Sequence, residues 1–263
     1  MKIEKPQGSE KLYQSVRKVW ESQRETYAHL RALGVEKFMK ESDDMIREAI
    51  RPDTKDEDAD AGCGDERVGG RIRLAGVGIL WTEREVISAL TLAGAKGIKS
   101  HKGCGAAKIF TEQNGLNPAD AEQCAQEHAQ KIAHNLNIPY RGHRNVTPER
   151  HHIAHIVYVD GTGKWNVSRA PGLLPGFHVS RRFVSASYAA KEVDIYASIA
   201  SDKLHGFGTL ISEKEPILII VIGDPKASAF SQRRLIAELQ PIGKRLRDKR
   251  IPVAIDGFTP QFL

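Results

Sequence analysis

Six consecutive aliphatic residues, Ile217-Leu218-Ile219-Ile220-Val221-Ile222, follow Pro216, and no other stretch limits the fold as strongly. A strand with one wet face alternates apolar and polar side chains. An unbroken run of this length is the pattern of a strand buried on both faces. Such a strand needs helices above and below its sheet. The chain supplies them, because strand-like and helix-like segments alternate along it, and this alternation predicts an α/β fold with a largely parallel sheet flanked by helices.

Residues 9–33 carry Leu12, Val16, Val19, Trp20, Tyr27, Leu30 and Leu33 at helical spacing. Ser9 suits the N-cap and Gly34 the stop. A second helix over about 35–50 ends before Pro52. Residues 1–52 therefore read as an N-terminal helical arm. The charged, apolar-free segment Asp53–Asp58 reads as a loop. Beyond it lie a short strand around Ile72–Ala75, a helix over Glu83–Leu92 and a strand end at Gly97–His101. A helix over Pro118–Leu136 follows, with Asn117 as N-cap and Pro118 in its first turn. Ile153–Val159 reads as a strand that turns through Asp160-Gly161-Thr162-Gly163 into a hairpin with Lys164–Val167. A helix over Ser228–Arg247 and a last strand at Pro252–Ile255 close the chain. These elements predict an α/β core over 53–167 and a C-terminal α/β extension over 168–263, packed on the same core and adding a further βα unit. No internal repeat is visible.

At 263 residues and 40% hydrophobic, the chain can bury a sizeable core. It has no apolar run of about 18 residues, so no membrane span is expected, and its start lacks the apolar stretch of a secretory signal. Three cysteines, Cys63, Cys104 and Cys124, do not make a disulfide framework. A reducing, cytoplasmic setting suits them, and there thiols more often serve metals or catalysis. The formal charge of +6 is spread among 33 acidic residues without interleaved aromatics, which reads as a solvated surface and argues against nucleic acid as a partner. Gly76-Val77-Gly78 lacks the third glycine of a dinucleotide fingerprint, so no nucleotide cofactor is expected.

The chemistry concentrates in two short motifs. Cys63-Gly64-Asp65-Glu66-Arg67 would, if extended, put Cys63, Asp65 and Arg67 on one side. His101 and Cys104 stand three apart, a spacing that a turn leaving a strand can fold onto one metal. Two thiolates and an imidazole suit Zn²⁺. Three protein ligands with a fourth position left to water, or to Asp65, is the catalytic pattern, whereas structural sites usually close with four.

These residues resemble the β-class carbonic anhydrases, whose hallmark motifs are Cys-x-Asp-x-Arg followed by His-x-x-Cys-Gly. Between them Arg73-Leu74-Ala75-Gly76-Val77 is similar to that family's Arg-Asn-Ala-Gly-Asn strand end. The resemblance runs from about Ala61 to Ala107 and, more weakly, to about Val167. It implies a β-carbonic-anhydrase-like sheet and one zinc per chain on Cys63, His101 and Cys104. It further implies a lyase that hydrates CO₂ reversibly to bicarbonate with zinc-activated water. Asp65 and Arg67 would be the catalytic pair, the guanidinium holding the carboxylate off the metal; in a closed form Asp65 would become the fourth ligand. A homodimer or higher homo-oligomer is implied as well, with residues 1–52 as an arm across the partner; the alternative is that these helices cover their own core. Glu66 in place of the family's small serine, and a short segment between the motifs, favour a rival substrate such as CS₂ or COS. A third reading is a zinc-stabilised binding protein without catalysis, whose working part is residues 168–263.

The remaining cysteine and the histidines read more plainly. Cys124 sits inside a predicted helix and suits core packing. His128 and His134 suit a helix surface. His151, His152 and His155 cluster without visible partner ligands, and His178 and His205 titrate in the range of a proton shuttle without a signal placing them near zinc.

Overall fold

The computed structural model describes residues 7–65, 68–146, 155–202 and 208–261. Among them are eight α-helices and two four-stranded, all-parallel sheets. Helices α1 (Gln7–Leu33), α2 (Val35–Glu41) and α3 (Asp43–Ile50) come first. The expected second helix is thus two, parted at Ser42. The first sheet is built from β1 (Ala61–Gly62), β2 (Ile72–Arg73), β3 (Ile98–His101) and β4 (Tyr140–Arg144). Helix α4 (Glu83–Ala93) connects β2 to β3, and α5 (Gly105–Gln113) and α6 (Ala121–Leu136) connect β3 to β4. Thr82 and Glu85 form a capping box on α4, and left-handed Gly94 stops it. The second sheet is built from β5 (Ile156–Asp160), β6 (Phe177–Val179), β7 (Ile217–Ile222) and β8 (Val253–Phe258), with α7 (Ala186–Ser201) after β6 and α8 (Gln232–Asp248) after β7.

The two sheets have the same strand order. In the first it is β2-β1-β3-β4 and in the second β6-β5-β7-β8, so each half places its first strand between its second and third. The repeat invisible in the sequence is present in the topology. Residues 156–160, grouped by sequence with the 53–167 core, are an inner strand of the second sheet.

The apolar run behaves as its composition demands. Ile217, Ile219 and Val221 join Val157 and Val159 in one cluster with α7 and α8. Leu218, Ile220 and Ile222 join Ile156 and Tyr158 on the opposite face. That second face is covered by Trp20, Tyr27, Leu30, Val35, Phe38 and Ile46 of α1–α3, so the N-terminal arm packs on its own chain. His155 is stacked on Trp20 with ring centroids 3.9 Å apart, and its Nε2 meets the Leu210 carbonyl at 3.1 Å.

The expected hairpin after β5 does not form. The Asp160 carboxylate accepts hydrogen bonds from the Thr162 amide and hydroxyl and from the Trp165 amide, which folds 160–165 into a tight loop. The chain then leaves the sheet, and β5 pairs in parallel with β6 and β7 instead.

Candidate metal centre

In the first sheet the connections leaving β1 and β3 diverge, because β2 lies on one side of β1 and β3 on the other. The crevice outside the carboxyl ends of such a strand pair is where open α/β sheets bind ligands. Cys63 directly follows β1, His101 ends β3, and Cys104 is the N-cap of α5. Strand β3 reads Ile-Lys-Ser-His yet is buried throughout, because its polar side chains have partners. Lys99 pairs with Asp60 at 2.8 Å, Ser100 meets Tyr140 at 2.6 Å and His143 at 2.8 Å, and His101 Nδ1 meets the Lys102 carbonyl at 2.9 Å.

The candidate ligand atoms of Cys63, His101 and Cys104 all lie within 4.8 Å of one another, and all three residues are buried. The two sulfurs are 3.9 Å apart. Two sulfurs held at about 2.3 Å on a tetrahedral metal stand about 3.8 Å apart, whereas a disulfide needs about 2.05 Å. The donor set therefore fits a metal ion. Asp65 lies beside the group, its carboxylate 4.0 Å from His101 Nδ1.

The thiols differ sharply in acidity. The hydrogen bond with Cys104 holds Cys63 well below the usual thiol range, against burial and helped by His101. The same bond, with burial, pushes Cys104 well above it. The Gly76 amide reinforces this by donating to Cys63 Sγ at 3.3 Å. Gly76 belongs to a turn, residues 75–78, in which Gly76 and Val77 have φ of 57° and 58°. A β-branched residue rarely adopts that conformation, so the turn is strained and must be held by its surroundings. His128 of α6 holds it from one side, its Nε2 3.1 Å from the Val77 carbonyl. The surface role expected of His128 is thus replaced by a half-buried structural one, and burial lowers its pKa.

The second half of the chain closes the site. Each metal-side cysteine is followed by a glycine, and α7 occupies the space both glycines leave. A side-chain carbon on Gly64 would stand 1.9 Å from the Tyr196 hydroxyl, and one on Gly105 would stand 2.8 Å from Ile199 Cδ1. Phe177 of β6 stacks on Tyr196 at 4.6 Å, and the His178 amide donates to the Gly64 carbonyl at 2.9 Å. One turn before Tyr196, Glu192 accepts hydrogen bonds on Oε1 from the Ala75 amide at 2.8 Å and the Trp81 indole at 3.0 Å. Burial raises the Glu192 carboxyl to about 8. On the first half, Arg73 is buried and donates through Nη1 to the carbonyls of Cys63 and Asp65 at 3.1 and 3.0 Å.

The structure brings Cys63, His101 and Cys104 together, with the Asp65 carboxylate 4.0 Å from the His101 ring and outside that group of three. Sequence reasoning missed Glu192, Tyr196 and Arg73. The available signal was the Cys-Gly dipeptide repeated at both ligands, which marks a close approach. Glu66, Arg67, His151, His152 and His205 lie outside the described residues. Cys124 is half-buried on α6 and outside the ligand group, while His134 is exposed. His178 is buried and lies 3.8 Å from Asp160, in the second sheet. No helix among the described residues is long and apolar enough to cross a membrane. No protein-family model, curated protein or solved structure matches the chain.

Proposed function

We propose that this chain is a zinc enzyme of the β-carbonic anhydrase type, catalysing the reversible hydration of CO₂ to bicarbonate. The observation that carries the reading is the buried group of Cys63, His101 and Cys104 at the carboxyl ends of β1 and β3. Two thiols and an imidazole suit zinc, and three protein donors leave one position for water or substrate. When bound, zinc supplies Lewis-acid chemistry that makes hydroxide available near neutral pH. The remaining work falls to the chain. Lys102 fixes the His101 ring through Nδ1, a partner of the kind that orients metal-binding imidazoles. The Asp65 carboxylate, buried beside that ring, is assigned the role of orienting the attacking water, and Arg67 that of holding Asp65. Phe177, Ile199 and Ala106 supply a dry wall around these groups.

A second reading, favoured by the burial of Cys63, Asp65, His101 and Cys104, keeps the metal and replaces CO₂ by another small uncharged electrophile, COS or CS₂. The test is metal quantification on the purified chain, followed by stopped-flow CO₂ hydration with a pH indicator. The reading expects about one zinc per chain, hydration abolished by chelation, and a loss of roughly 10²-fold or more in Asp65→Ala with zinc retained. Zinc with COS or CS₂ turnover but no hydration selects the second reading; absence of zinc refutes both.

A further inference from the structure

A cavity of about 560 Å³ lies at the junction of the two halves, lined on one side by α4 and on the other by side chains from Phe183 to Tyr188. Its lining contains none of Cys63, Asp65, His101 or Cys104. The volume is that of a small-molecule site, for which about 300–1,000 Å³ is usual. Leu74, Val86 and Ala89 give it buried apolar lining, and Trp81, Phe183 and Tyr188 add three half-buried rings. Trp81 and Tyr188 meet edge to face with centroids 4.2 Å apart.

Two cations attend these rings, and neither has an ion-pair partner among the described residues. Arg84 lines the cavity and is exposed. The Lys191 ammonium stands 5.4 Å from the Trp81 ring centroid and 5.5 Å from that of Tyr188. The one acid in the lining, Glu85, is already engaged, its Oε2 accepting from the Thr82 amide at 3.2 Å and the Thr82 hydroxyl at 2.5 Å. The cavity thus pairs aromatic walls with uncompensated positive charge.

We infer that this cavity is a second binding site, for an aromatic carboxylate. The flat ring lies among Trp81, Phe183 and Tyr188, where edge-to-face and offset contacts are favourable. Its carboxylate meets the Arg84 guanidinium, whose paired N–H groups match two oxygens, and Lys191 adds attraction. Both halves supply walls, so the site depends on their docking. It draws nothing from the hydration reading and requires no metal.

The Trp81 indole is the reporter, because its Nε1 donates to Glu192 Oε1 at 3.0 Å and its ring lines the cavity. Its ¹⁵N–¹H signal in the full chain, assigned with Trp81→Phe, is followed during titration with 2-naphthoate, 2-naphthamide or cyclohexanecarboxylate. Naphthoate should shift it saturably with Kd of about 1 mM or tighter, leaving the signals of buried Trp20 and Trp165 in place. The amide, which lacks the charge, and the cyclohexane acid, which lacks the ring face, should each bind about tenfold more weakly. Replacing both exposed cations, Arg84→Ala with Lys191→Ala, should cost naphthoate about tenfold and change the amide by less than about twofold. Absence of a saturable shift, or movement of all three indole signals together, would overturn the site. An amide that binds as tightly as naphthoate, or naphthoate affinity unchanged in the double variant, would overturn the recognition of a carboxylate; equal affinity for the cyclohexane acid would overturn that of a ring.

Discussion

Replacing Gly64 by alanine tests whether the second half of the chain seats on the metal-side loop. Gly64 does not adopt a left-handed backbone, so alanine there is opposed by lack of space and not by φ. Its side-chain carbon would meet the Tyr196 hydroxyl at 1.9 Å, Tyr196 Cζ at 2.4 Å and the His178 backbone carbonyl at 2.7 Å. None of these can yield cheaply. The Tyr196 ring is fixed by its stack on Phe177, and His178 is held in β6 between β5 and the Gly64 carbonyl. Inserting a methyl into a packed interior costs about 1–3 kcal/mol, and two immovable neighbours place this case at the upper end, about 3 kcal/mol. For a chain of this size that lowers Tm by about 6–12 °C. Gly105→Ala is the internal control. It meets only the Ile199 side chain, most closely its flexible Cδ1 end at 2.8 Å, and gains helix propensity in the first turn of α5, so its net effect should be close to zero. Urea unfolding of the metal-free full chain, with midpoint and slope compared, measures both. In a Tyr196→Ala background the Gly64→Ala cost should fall by at least about 1 kcal/mol, because the two sites touch. A Gly64→Ala midpoint within about 0.5 kcal/mol of wild type, or strict additivity with Tyr196→Ala, would refute the packing argument.

Three further outcomes follow from the same geometry. Cys104→Ala should leave the chain folded but unable to retain metal through dialysis, read as metal per chain, because it removes one of three donors. Arg73→Met should destabilise by roughly 2–4 kcal/mol and weaken metal binding, since the carbonyls of Cys63 and Asp65 lose a buried donor; calorimetry and a metal titration measure the two effects. His155 governs an acid limb of the stability curve. Burial lowers its pKa to about 4 from an ordinary 6.5, so below pH 6.5 the unfolded chain takes up a proton that the folded chain refuses. The resulting stability is complete above pH 6.5 and is lost as pH falls toward 4, by about 3 kcal/mol. His155→Phe, which keeps a ring against Trp20, should flatten that limb in urea unfolding measured from pH 7 to 4.

What was legible in the sequence is what is local. The six-residue apolar run named a doubly buried strand because its two faces are decided by alternate residues of one segment. The juxtaposition of Cys63, His101 and Cys104 was legible because strand ends and a following helix cap carry these candidate ligands within two short motifs. The hairpin failed because one side chain, Asp160, outbid the turn pattern by gathering the Thr162 and Trp165 amides onto itself. The duplicated topology left no trace in residue order, since strand order is fixed by which faces must be covered and many sequences cover them equally well. The deepest miss was the contribution of α7. Glu192 lies more than 100 positions from Ala75 and Tyr196 a similar distance from Gly64, and a glutamate in a helix ordinarily faces water. Only the fold reveals that this one is wholly buried and tied to the turn beside Cys63. The two glycines after the cysteines held half of that information. Each was needed as an absence, and what fills an absence is written elsewhere in the chain. A candidate site divided in this way would tie metal binding to the docking of the two halves, so substitutions on α7 should alter metal affinity without touching Cys63, His101 or Cys104.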